Sequence, residues 1–209
     1  VEGSGNIMTV TPPTVRQDLL EEEDYIEEVA RLYGYDKLPV TLPKGNCEAG
    51  ISDERALRDL TRNSLCGMGL NEIQTYSFVS PKGVDNVRID EDSWERAFVK
   101  LINPLGEENS VMRTILTPNM MEVLARNYSR NIDKVKAFEI GNTFMANMLN
   151  EEELPDEQYS LCIGMYGKNE DFFSLKGIVE ELLKVLGIKG AVFEAESEYG
   201  VYHPGRCAR

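Results

Sequence analysis

The sequence predicts an α+β protein: a mainly antiparallel sheet flanked by helices, preceded by a smaller separate module. Three observations carry this. Several segments place apolar residues at helical spacing. After residue 50, strand-forming runs outnumber helices and recur as hairpin-like pairs. A stretch rich in Pro and Gly, residues 36–50 with Pro39, Pro43 and Gly45, separates the first helix from the rest and reads as a linker between domains.

The elements follow in order. Ile7, Thr9 and Val10 read as extended chain, and Pro12-Pro13 then blocks helix. Residues 21–33 read as a helix, with Ile26, Val29, Ala30 and Tyr33 on one stripe and acids in the first turn, where the helix dipole favours them. Gly34 is a natural stop. Ser52-Asp53-Glu54 opens a second helix as a cap and two acids. Leu57, Leu60, Leu65 and Met68 mark its apolar stripe, and Gly67 and Gly69 end it. Residues 71–79 and 97–102 read as strands, the second stopped by Asn103-Pro104. A helix is expected from Thr117-Pro118, with Pro in the first turn. Strands follow over 135–140, 143–145 and 159–166, with a solvated acidic loop at 151–153. A helix over 172–186 closes at Gly187, and 192–195 reads as a last strand.

Composition sets outer bounds. The chain has 209 residues, 42% hydrophobic and 28% charged, which excludes disorder as the main state. No apolar run approaches the roughly 20 residues of a membrane span. The start, Val1-Glu2-Gly3-Ser4-Gly5, shows no signal-peptide pattern and no Met, so an excised piece of a longer protein is expected. With 36 acids against 22 bases the net charge is −14, and no Lys/Arg-rich cluster occurs to neutralise phosphates. The four cysteines form no C-x-x-C and read as reduced thiols. The single histidine, His203, excludes a histidine-rich metal site.

Three constellations carry chemistry. Asp24, Glu27 and Glu28 stand at i, i+3 and i+4 and share one helix face, with Asp18 on the loop before it. Carboxylates this close either form a solvated acidic face or hold a hard divalent cation, for which oxygen-only ligands suit magnesium or calcium. Asn103-Pro104-Leu105 to Arg113 places polar residues between a strand and a helix, either as a simple turn or as a functional loop. His203-Pro204-Gly205-Arg206 is either a structured turn or a rigid phosphate-binding or interface turn. No P-loop, dinucleotide fingerprint or G-x-S-x-G element occurs.

These same stretches carry a resemblance. Arg16-Gln17-Asp18, then Asp24-Tyr25-Ile26-Glu27-Glu28-Val29-Ala30-Arg31-Leu32-Tyr33-Gly34-Tyr35-Asp36, resemble the bacterial phenylalanine–tRNA ligase beta subunit family. Asn103-Pro104-Leu105 with Arg113-Thr114, Phe138-Glu139-Ile140-Gly141, Phe172 to Gly177, and His203 to Arg206 continue it in order. The resemblance implies that residues 1–44 are the second half of a winged-helix-like metal module. Residues 46–209 would be a catalytic-like domain, a degenerate copy of the class II synthetase core cut at its C-terminus. It also implies a magnesium site shared with the alpha subunit, on Asp18, Asp24, Glu27 and Glu28. Gln17 departs from a form in which a second Arg is frequent beside Arg16.

Class II synthetases bind ATP through Arg-x-Glu and Gly-x-Gly-x-x-Arg elements, whose arginines stabilise phosphate charge. Neither occurs here, and Phe138-Glu139 lacks the arginine. The resemblance therefore implies a chain inactive by itself. It would be a scaffold packing on alpha in a cytoplasmic heterotetramer of two alpha and two beta chains, which charges tRNA with phenylalanine using ATP. Asn103, Pro104, Arg113, Glu139, His203 and Arg206 are expected to be structural or interface residues, with an exposed apolar patch where alpha packs. Two other readings stand beside it: an acidic protein-interaction module, and a carboxylate-based, metal-dependent hydrolase.

Overall fold

The computed structural model describes residues 2–5, 7–42, 44–45, 49–147 and 154–209. The chain divides into two compact units, Val1–Ala49 and Gly50–Arg209. The acidic loop expected at 151–153 and Cys47 lie outside the described residues.

In the first unit, β1 (Glu2–Ser4) and β2 (Ile7–Thr9) form an antiparallel hairpin, followed by helix α1 (Glu22–Tyr33). Asp24 starts this helix: its Oδ2 accepts from the backbone N–H of Leu20 and Glu21, each at 2.8 Å, satisfying donors that a helix start leaves free. Gly34 ends it at φ +105° with its N–H on the Ala30 carbonyl. The expected stripe of α1 is not a buried face: Ile26, Val29 and Tyr33 are all exposed. Periodicity identified the helix correctly, but a unit this small offers little surface to cover it.

The second unit is built on a three-stranded mixed sheet in the order β3–β6–β7. β6 (Val135–Met145) and β7 (Asp156–Tyr166) pair antiparallel along their full length, while β3 (Asn71–Glu72) joins β6 in parallel. Helices cover both faces. On one, α2 (Asp53–Gly67) and α5 (Phe172–Val185) supply Leu65 and Leu182 to a core with Leu70 and Phe138, flanked by Ile140 and Ile163. On the other, α4 (Thr117–Ser129) lays Met120 and Leu124 over Gly164, where any Cβ would collide with Met120. Gly164 sits opposite Ala137, so two small residues make room for the helix. The two helix starts read from the sequence are in place, with Ser52 Oγ accepting from Arg55 N and Pro118 in the first turn of α4, and Asp171 caps α5 by accepting from Ser174 N.

Three expected strands differ. Residues 71–79 break into β3 and β4 (Phe78–Val79), because the Thr75 N–H donates to the Glu139 carboxylate at 3.1 Å instead of to a strand. Residues 97–102 make one bridge, Lys100 to Val111, beside β5 (Val111–Met112). Residues 192–195 make one bridge, Ala195 to Ala208. Conversely, Gly141 does not interrupt β6, which runs through as one strand of 11 residues. The sheet is thus smaller and less uniformly antiparallel than expected. A short helix, α3 (Lys82–Asn86), was not anticipated.

Candidate functional site

The acidic set lies in the first unit. Arg16, on the loop before α1, reaches across it. Its Nη2 donates to Asp18 Oδ2 at 2.6 Å and to Glu28 Oε1 at 2.7 Å, and its Nε to Asp18 Oδ1 at 3.0 Å. The other oxygen of Glu28 accepts from Arg31 Nη2 at 2.6 Å. These bonds hold Glu28 at a pKa of about 2, through Arg16 first and then Arg31. Arg16 likewise lowers Asp18, and the Glu21 and Leu20 backbone N–H groups lower Asp24. Glu27 is exposed and makes no bond among the described residues.

The four sequence-predicted ligands therefore do not converge. Two are bridged by a guanidinium, one caps a helix and one faces solvent. No group of three or more His, Cys, Asp or Glu side chains among the described residues is arranged to hold a metal ion. The donor chemistry suits magnesium, but in this arrangement the residues do not fit the ion. Arg16 is the neighbour of Asp18 and Glu28 that spacing does not single out, although it stands two residues before Asp18.

The second unit brings Arg113 and Glu139 together, 26 positions apart in sequence. Both are almost fully buried, at 4% and 1% exposure. Arg113 Nη1 donates to Glu139 Oε1 at 2.7 Å and to Thr75 Oγ1 at 2.9 Å, while Nε donates to the Asn142 carbonyl at 2.8 Å. Glu139 also accepts from the Thr75 N–H and hydroxyl. Gly141 completes the seat, since a Cβ there would run into the guanidinium. One cluster thus ties β6 to the 73–77 segment and to the residue after β5. Sequence reading named Arg113 and Glu139 but neither Thr75 nor Asn142, which carry no signal of their own.

Beside this cluster opens a cleft of about 810 Å³, lined among others by Thr75, Tyr76, Phe78, Arg113, Asn119 and Arg126. The Arg113 charge is neutralised by Glu139 before anything enters. Asn103 and Pro104 lie on an exposed turn between Ile102 and Leu105, both fully exposed. The 203–206 stretch is a turn: His203 Nδ1 accepts from the Gly205 N–H at 3.0 Å and the His203 carbonyl from the Arg206 N–H at 2.8 Å. The His203 and Arg206 side chains are exposed.

Of the cysteines, Cys66, Cys162 and Cys207 are free thiols. Burial, with the Glu139 charge behind it, pushes Cys162 up to about 11. No helix among the described residues is long and apolar enough to cross a membrane.

The fold resembles that of two solved pyrrolysyl-tRNA synthetase structures. A crystal structure of pyrrolysyl-tRNA synthetase from Desulfitobacterium hafniense matches with a TM-score of 0.55 at 18% identity, covering 91% of this chain and 65% of that one. Another pyrrolysyl tRNA synthetase structure from the same organism matches at 0.54 and 18%, over 70% of this chain and 49% of that one. The chain belongs to the phenylalanyl-tRNA synthetase beta chain family. The model for the phenylalanyl tRNA synthetase beta chain CLM domain matches residues 38–209, and that for the tRNA synthetase B5 domain residues 1–35. The phenylalanine–tRNA ligase beta subunit of Clostridium acetobutylicum is 46% identical over 99% of this chain, and that of Clostridium tetani 42% over 98%. The chain spans about a quarter of the length of these relatives, 26% of each.

Proposed function

We propose that this chain is a non-catalytic scaffold segment of a phenylalanine–tRNA ligase beta subunit. It packs against the alpha subunit of a cytoplasmic heterotetramer, two alpha and two beta, that charges tRNA with phenylalanine using ATP. Residues 1–44 are the second half of a winged-helix-like module and 46–209 a catalytic-like class II domain. The observation that carries the reading is the state of Arg113. It lines the cleft of about 810 Å³ in the sheet domain, yet its guanidinium is committed to Glu139, Thr75 and the Asn142 carbonyl. Paired in this way, the guanidinium holds together the frame of the domain. The absence of Arg-x-Glu and Gly-x-Gly-x-x-Arg supports the same conclusion.

Asn103 and Pro104 shape a turn that presents Ile102 and Leu105, two fully exposed apolar side chains suited to docking on a partner. The turn of His203 and Arg206 is a second rigid element for the same role. The test is ATP–pyrophosphate exchange dependent on phenylalanine. The chain alone is expected to give none, with ATP and magnesium present. Exchange above background by the chain alone would overturn the scaffold reading.

A further inference from the structure

Among the described residues, no backbone hydrogen bond joins 189–209 to the rest of the second unit. The main chain there is satisfied internally. Glu194 and Arg209 exchange N–H to carbonyl bonds at 2.9 Å each, and the Glu196 N–H donates to the Cys207 carbonyl at 3.0 Å. Residues 194–209 thus form a hairpin that can leave the domain without breaking a bond of the sheet. Gly187 and Gly190 precede it at φ +75° and +77°, with open space around both. A few residues of this kind absorb the backbone rotation of a hinge.

Side chains fasten the hairpin. Near its tip, the Tyr199 hydroxyl donates to Glu95 Oε1 at 2.8 Å. Glu95 is itself fixed: it is 7% exposed, its Oε2 accepts from the Ser93 hydroxyl at 2.9 Å, and its carbonyl accepts from the Thr114 hydroxyl. The Tyr202 ring lies 5.7 Å from that of Tyr199, centroid to centroid, and its hydroxyl stands beside Thr117 and Cys162. At the base, Lys176 stands over the Phe193 ring at 4.4 Å. A cavity of about 500 Å³ opens there, with Phe172, Phe173 and Lys176 of α5 facing Phe193, Arg206 and Cys207. The 172–177 and 203–206 stretches marked in the sequence meet across it.

We infer that 191–209 is a hinged strap, latched by Tyr199 on Glu95, whose release widens the cavity beside α5 and uncovers Cys162. The inference goes beyond the scaffold reading and does not depend on it, and the turn at His203 stays rigid within the arm that carries it. Opening costs one hydroxyl bond to a buried carboxylate and the tyrosine packing, while β6 and β7 keep every ladder bond. A segment fastened in this way belongs to the low end of a protein's local stabilities. Closed, the strap keeps Cys162 in the surroundings that raise its thiol to about 11. Open, that thiol meets solvent and gains reactivity.

The test is native-state hydrogen exchange and thiol labelling of the whole 209-residue chain and of Tyr199→Phe. In the natural chain the amides of Glu194, Glu196 and Arg209 are expected to exchange together, before those of β6 and β7. Tyr199→Phe is expected to speed that exchange and the labelling of Cys162 by about tenfold to about a hundredfold, as loss of a hydrogen bond to a charged group implies, with β6 and β7 still protected. Cys66, exposed in either state, is the labelling control. Unchanged exchange and unchanged Cys162 labelling in Tyr199→Phe would overturn the inference. Hairpin amides of the natural chain that exchange only together with β6 and β7 would overturn it as well. That second measurement decides alone should the variant lose its sheet.

Discussion

Arg113→Met removes the guanidinium that joins β6 to the 73–77 segment while preserving much of the side chain's apolar stem. Four bonds are lost, to Glu139 Oε1, Thr75 Oγ1, the Thr75 carbonyl and the Asn142 carbonyl. Glu139, 1% exposed, keeps only the Thr75 N–H and hydroxyl. Breaking one side of a buried pair costs about 3–5 kcal/mol, because a charge is left without a counter-charge. At roughly 2–4 °C per kcal/mol for a chain of this size, the melting temperature should fall by roughly 6–20 °C. Urea melts followed by circular dichroism and by the fluorescence of Trp94, the only tryptophan and in the same unit, measure the loss. Arg113→Met combined with Glu139→Met removes both charges and should recover a large part of it, since apolar replacement of a whole buried pair is often neutral or stabilising. A single-variant loss below about 1 kcal/mol, the range of an exposed ion pair, would refute the reasoning. So would a double variant no more stable than the single one.

Acid should weaken the first unit. Glu28 is depressed from 4.5 to about 2, so its contribution is fully present above about 4.5 and is lost as pH falls through about 2. The α1 amide signals, followed from pH 6 to pH 2, should fade within that window, and signals unchanged at pH 2 would count against the Arg16 clamp. Cys162, raised to about 11 and half-buried, should react with a thiol reagent at pH 8 far more slowly than exposed Cys66. Mass spectrometry of partly labelled chains distinguishes the two, and equal labelling of the native chain would contradict the burial.

Local chemistry was legible where the answer is local. Ser52 and Pro118 announce helix starts, and Gly34, Gly69 and Gly187 stand at positive φ just beyond helix ends. Pairings distant in sequence were not. Nothing in 71–79 says that its middle will donate to a glutamate 64 positions away, so the run reads as one strand. The parallel join of β3 to β6 is invisible for the same reason, because alternation marks a strand and not its neighbour. At the candidate site, spacing put Asp24, Glu27 and Glu28 on one helix. It could not show that Asp24 is turned back onto the helix start or that Arg16 lies across Asp18 and Glu28. Arg113 and Glu139 were named by motif, and only the fold shows that they serve each other.

The central claim is the scaffold role, and a binding titration of this chain against the alpha subunit of a phenylalanine–tRNA ligase tests it most directly. Saturable binding that weakens when both Ile102 and Leu105 are replaced by Ser is the predicted result. The same titration showing no association, or association unchanged by that replacement and equal to that of an unrelated basic protein, would contradict it.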